Sequence, residues 1–157
     1  MTEGAAMYHA LREAALSTPQ NALKLDEGTN ALPVYGVAMD GKVAPDRWFT
    51  LVAFANGEAS LYFSTGGGII GGGRYEPVRA AASAFVSTAA LFPERDLIAG
   101  TAALPVREDL QFHLLTGDGP QHICESTERA EKEGSPLNPL LLKAHELIAE
   151  IRLNAEN

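Results

Sequence analysis

The chain has 157 residues, 46% of them hydrophobic and 20% charged, with a formal net charge of −8. That length gives one domain, residues 1–157, able to bury about two-thirds of its unfolded surface. The acidic balance leaves no Lys/Arg field for nucleic acid or for an anionic membrane surface, so neither is expected as a partner.

Residues Ala5 to Leu16 are expected to form a short helix, with Met7, Tyr8, Leu11 and Ala15 on its apolar stripe and Arg12 and Glu13 outside it. Pro19 closes it, and Gln20 to Leu32 has no clear period and is expected as loop. Strand signals follow. Val34 to Met39 is the first, ended by the turn dipeptide Asp40-Gly41. Trp48 to Ala55 and Glu58 to Ser64 flank Asn56-Gly57, the strongest short hairpin signal, read as a type I′ turn with both residues at positive φ. That turn sets Ala55 opposite Glu58, Phe54 opposite Ala59 and Val52 opposite Leu61. One face then holds Val52, Phe54, Leu61 and Phe63, and the other Phe49, Leu51, Glu58, Ser60 and Tyr62. The second face is still half apolar and is expected to be partly covered.

After a glycine-rich loop, Pro77 opens a helix that runs to Phe92 before Pro93. Its stripe is Val78, Ala81, Ala82, Phe85, Val86, Ala89 and Phe92, and its far side is small and nearly uncharged: Ala80, Ser83, Ala84, Ser87, Thr88 and Leu91. Leu97 to Val106 is expected to include a short strand, broken by Gly100 and Pro105. Leu110 to Leu115 and Gln121 to Ser126 form a second hairpin around Gly117 to Pro120. Thr127 to Gly134 is highly charged and reads as a solvated connection. A last helix runs from Pro136 or Pro139 to Leu153, with Leu137, Leu140, Leu141, Ala144, Leu147, Ile148 and Ile151 as its core stripe. The order α-β-β-β-α-β-β-α, joined by hairpins, predicts an α+β domain: an antiparallel sheet of about five strands with helices packed on it.

Two places hold candidate chemistry. The loop Gly66 to Gly73 contains a formal G-x-G-x-x-G at Gly66, Gly68 and Gly71, but it follows a hairpin strand rather than a parallel βαβ unit. No Gly-Lys-Ser/Thr completes a Walker pattern. A general anion site remains, in which Gly66, Gly67, Gly68, Gly71, Gly72 and Gly73 supply backbone N–H groups, Thr65 its hydroxyl and Arg74 the charge, beside the helix start. Glu76 competes for that helix start. The plainer reading is a tight crossover with Ile69 and Ile70 as an apolar plug.

The second place is the hairpin face carrying His113, His122 and Cys124, with Phe112, Leu114 and Ile123 on the opposite face. Pairing His113 with His122, or with Cys124, depends on where the turn is centred. Two imidazoles and a thiol are metal or nucleophile chemistry. A structural zinc site takes four ligands with recognisable cysteine spacings, however, and these are absent. The plainer reading is a solvated face with Cys124 semi-buried beside Leu115, so no metal and no cofactor is expected. His9 and His145 read as exposed helix residues.

Cys124 is the single cysteine, so no internal disulfide forms. Met1 to Leu16 has no signal-peptide pattern, and no apolar run approaches the ~20 residues of a membrane span, which makes the cytoplasm the expected address. With no catalytic constellation in the sequence, the leading expectation is a non-enzymatic binding or regulatory domain. Its charge-free helix side and half-apolar hairpin face predict a homo-oligomer. The alternative is a protein or enzyme that takes an anionic small molecule at the glycine loop, and the third is a metal- or thiol-dependent protein at the His113 face.

Overall fold

The structure, a computed structural model, describes residues 2–30, 33–92 and 101–155. Its helices are α1 (Glu3–Leu16), α2 (Glu27–Asn30), α3 (Glu76–Ala90), α4 (Thr127–Ala130) and α5 (Asn138–Ala155). Its strands are β1 (Gly36–Ala44), β2 (Arg47–Phe54), β3 (Ala59–Phe63), β4 (Gly68–Ile69), β5 (Leu110–Thr116) and β6 (Gly119–Glu125). They form one sheet of six strands in the order β4-β3-β2-β1-β5-β6, every pair antiparallel. The α+β class and the order of the main elements match the sequence reading, with one more strand than expected. No helix among the described residues is long and apolar enough to cross a membrane.

One face of the sheet carries Val37, Met39, Leu51, Ala53, Leu61, Phe112, Leu114 and Ile123, covered by α3 and α5. The stripes read from the sequence meet here. Val78, Ala82, Phe85, Val86 and Ala89 of α3 and Leu140, Leu141, Ala144, Leu147 and Ile151 of α5 are buried. Phe85 meets Phe112 edge to face, with ring centroids 6.4 Å apart. Each such fully buried ring contributes about 1.5–3 kcal/mol. The other face is covered by α1 and by residues near Leu104, around a smaller cluster of Tyr8, Ala15, Ala38, Val52 and Tyr62.

Three expectations are corrected. Asp40-Gly41 is no turn: it sits inside β1, and the chain reverses between Ala44 and Arg47. Asp40 faces inward onto a partner from α1, which outweighs its turn preference. A side chain at position 41 would meet the Phe49 ring, which would have to swing aside. Second, the β2–β3 register differs by one residue: Leu51 opposes Leu61 and Ala53 opposes Ala59. The turn has only Gly57 at positive φ (+88°). Gly57 N donates to the Phe54 carbonyl and Phe54 N to the Glu58 carbonyl, each at 2.9 Å. This is a type I turn with a glycine bulge rather than type I′. The slip regroups the faces. Leu51, Leu61, Phe49 and Phe63 lie towards α3 and α5, while Val52, Phe54 and Tyr62 lie under α1. Third, the buried stripe of α1 is Tyr8, Arg12 and Ala15, and Met7 is 56% exposed.

Smaller differences follow the same pattern. Gln20–Leu23 is a 3-10 turn and Glu27–Asn30 a helical turn, where loop was expected. Thr127–Ala130 is a helical turn capped by the Ser126 side chain, with Ala130 buried, rather than a wholly solvated connection. The short strand expected within Leu97 to Val106 falls partly outside the described residues, and residues 101–106 are irregular.

Candidate functional site

The strand pairing lays two polar ladders side by side under α1. One runs Tyr62–Thr50–Asp40–Gln111–Cys124 across β3, β2, β1, β5 and β6; the next runs Ser60–Val52–Ala38–His113–His122. Asp40 and His113 are therefore diagonal neighbours. Tyr8 and Arg12, one helical turn apart on α1, point at both ladders from above.

Arg12 grips Asp40 in a bidentate fork, Nε to Oδ1 at 2.9 Å and Nη2 to Oδ2 at 2.7 Å. Thr50 donates its O–H to Asp40 Oδ1 at 2.7 Å. Tyr8 OH lies 2.6 Å from Thr50 Oγ1 and, since the threonine proton is committed, is the donor. His113 Nε2 lies 2.6 Å from Asp40 Oδ2, which places the proton on Nε2. His113 Nδ1 and His122 Nδ1 lie 2.7 Å apart and share one proton in a hydrogen bond between the two rings. Gln111 spends both amide hydrogens on the Thr101 and Ala103 carbonyls, at 2.8 and 2.9 Å, and so clasps that segment onto the sheet.

Asp40 and His113 are both fully buried. Burial alone would raise the Asp40 carboxyl, but the hydrogen bonds from Arg12 and His113, together with the electrostatic pull of His113 and Arg12, hold it down at about 2. Burial pushes the Tyr8 phenol up to about 12 against its bond to Thr50. Burial, then the neighbouring His113 and Arg12, lowers the His122 imidazole. Burial and Glu108 raise the Cys124 thiol, so it is not a preformed thiolate. The chain Asp40–His113–His122 has the form of a proton relay that ends at a half-buried imidazole. Among the described residues, no buried side-chain N or O lacks a hydrogen-bond partner. No group of three or more His, Cys, Asp or Glu there is arranged to hold a metal ion.

The sequence placed His113, His122 and Cys124 on one face, with Phe112, Leu114 and Ile123 on the other, and the structure does the same, in the His113–His122 register. The solvated character expected of that face is corrected. Helix α1 covers it, because Arg12 and Asp40 bring matched charges to it.

The glycine loop is built of close approaches. Gly66 lies against Gly4 of α1, and Gly68 against the backbone of Leu61 and Tyr62. Gly72 and Gly73 are buried beside Ala59 and Glu58. Gly66, Gly67, Gly68 and Gly71 all have positive φ. Gly73 N donates to the Glu58 carboxylate at 2.8 Å, so one donor proposed for an external anion already has an internal one. Arg79 donates to the Gly73 carbonyl at 2.9 Å. Arg74 is exposed and lies over the Tyr75 ring, 4.8 Å from its centroid. Ile69 packs on the core, but Ile70 is 63% exposed and is no plug.

Sequence reasoning missed an open groove of about 210 Å³ between the sheet and α5. Leu61 floors it, Phe49, Phe63 and Val43 wall it on the sheet side, and Ile148 walls it on the helix side. His145 and Arg152 also line it from α5. The available signal was His145, Ile148 and Arg152 at helical spacing, just outside the buried Leu147 and Ile151.

No protein-family model matches this chain, and no curated protein or solved structure is significantly similar to it.

Proposed function

We propose that this chain is a non-enzymatic binding domain and that its binding surface is the groove between β2, β3 and α5. The observation that carries this reading is the contrast between that groove and the polar cluster. The groove leaves Phe49, Phe63 and Ile148 half-buried around open space. In the cluster, Asp40, His113, Thr50 and Tyr8 are buried and spend their polar atoms on one another. Open apolar concavity supports binding; closed, satisfied polar groups support a structural clamp. The alternative of an anion at Gly66 to Gly73 and Arg74 has less support, since Glu58 already occupies the Gly73 donor. The test is an NMR titration with n-octanol as an uncharged apolar probe. Amide shifts should concentrate at Val43, Phe49, Phe63 and Ile148. Shifts scattered over the surface, or none, would refute the groove.

Self-association is the second part of the proposal. On α3, Ala80 and Ser87 remain exposed and Leu91 is 82% exposed, while Ser83 and Ala84 are half-buried. That stretch is free of charge beyond Arg79. The half-apolar hairpin residues divide between the two sides, Phe49 and Leu51 towards α3 and α5 and Tyr62 under α1, so they add no support. Light scattering at micromolar concentration should give at least a dimer mass, weakened by Ala84→Glu; a clean monomer mass would end the idea.

A further inference from the structure

The groove has a charge pattern that its apolar walls do not require. His145, Ile148 and Arg152 stand at i, i+3 and i+7 on α5, one stripe along the helix. Ile148 is thus flanked along the helix axis by an imidazole and a guanidinium, and both flanking residues are exposed. Arg152, like most of the other cationic side chains among the described residues, makes no ion pair there, so its guanidinium is available to a ligand in the groove. Two hydrogen-bond donors, one of them permanently charged, therefore border an apolar trough in a chain of net charge −8.

From this we infer that the groove is a site for small amphipathic monocarboxylates: an apolar body seated on Phe49, Phe63 and Ile148, and a carboxylate held by Arg152 with His145 as second donor. The inference rests on the groove reading above and adds the ligand class. Size limits the occupant, because about 210 Å³ falls below the ~300–1,000 Å³ typical of sites for drug-sized ligands and cofactors. Charge limits it further. The acidic protein repels anions at long range, and a phosphate monoester with about −1.5 to −2 charge is repelled more than a carboxylate with a single charge. A planar carboxylate also matches the guanidinium fork of Arg152, which a protonated amine or an alcohol does not.

The test compares sodium octanoate, n-octanol and octyl phosphate by NMR titration of the full chain at neutral pH, below the concentration at which any of them forms micelles. The same titrations are run on Arg152→Gln, an exposed position at which the fold should be retained, as checked by an unchanged Tm. Octanoate is expected to shift the groove amides and to bind about tenfold more tightly than octanol, the order expected of charge-assisted hydrogen bonds. Octyl phosphate should bind more weakly than octanoate. Arg152→Gln should bring octanoate down to the octanol level while leaving octanol unchanged. Equal binding of octanoate and octanol, tighter binding of octyl phosphate, or an unchanged octanoate affinity in Arg152→Gln would overturn the carboxylate inference and leave the apolar groove standing. Absence of binding by all three would remove both. Octanoate shifts centred on Gly66 to Arg74 would overturn the inference in favour of the glycine loop.

Discussion

The two faces of the sheet are held by different physics. Towards α3 and α5 the contacts are apolar, non-directional and many: Phe85, Phe112, Leu140, Leu147 and Ile151 are all buried there. Towards α1 the apolar cluster is small, and the specific contacts are the Arg12–Asp40 fork, the Tyr8–Thr50 bond and the His113–His122 pair. An apolar face tolerates small sliding, because one methyl contact replaces another. A bidentate fork does not, since a shift of one helical turn would leave two buried charges unpaired. The apolar face therefore supplies most of the stability, and the polar face fixes where α1 sits.

Truncation on each side tests that division. Phe85→Ala should lose about 3–5 kcal/mol of unfolding free energy in urea, with one cooperative transition. Asp40→Ala should cost a comparable ~3–5 kcal/mol despite the smaller side chain, because Arg12 and His113 lose their acceptor in a buried place. Replacing the ionic part of the cluster sharpens the contrast. Arg12→Met with Asp40→Leu and His113→Leu should recover most of that loss, to within about 1 kcal/mol of the parent, since matched apolar groups remove the desolvation cost together. A triple variant no more stable than Asp40→Ala would show that the fork itself contributes strongly to stability.

Acid should act on the polar face first. Asp40 is held at about 2 from an ordinary 3.8, so its contribution is complete above pH 4 and is lost as the pH falls towards 2. The size is about 2.5 kcal/mol at most. His122 acts at milder acidity. Its lowered pKa means that the unfolded chain takes up a proton before the folded one, so stability declines as the pH drops below 6.5. Asp40→Asn should remove the lower step in a plot of stability against pH, and His122→Gln the upper one. The smallest expected effect is Tyr8→Phe, which loses one donor to Thr50 and about 1 kcal/mol, read as faster amide exchange confined to α1.

Local pattern was enough for the elements. Proline, glycine and apolar spacing marked α3 and α5, and alternation put His113 and His122 on one face and Phe112 and Ile123 on the other. What the pattern could not carry was the identity of partners far along the chain. Arg12 meets Asp40 across 28 positions, and Asp40 meets His113 across 73. Read alone, an arginine on a helix looks solvated, Asp-Gly looks like a turn, and a strand histidine looks exposed; together they are buried. The β2–β3 register failed for a different reason. Asn-Gly suits two turn geometries, and here the Asn56 side chain accepts from Glu58 N at 3.0 Å while only Gly57 takes positive φ. The groove stayed hidden because it joins Phe49 and Phe63 to Ile148, which lies far along the chain from both.

The outer strands of the sheet limit how copies of this chain can meet. At one end β4 is only two residues long, too little to template a further strand. At the other, β6 carries Pro120 next to its first residue, a position without an N–H to offer a neighbour. Fibre growth by strand addition should therefore be disfavoured at both edges of the sheet.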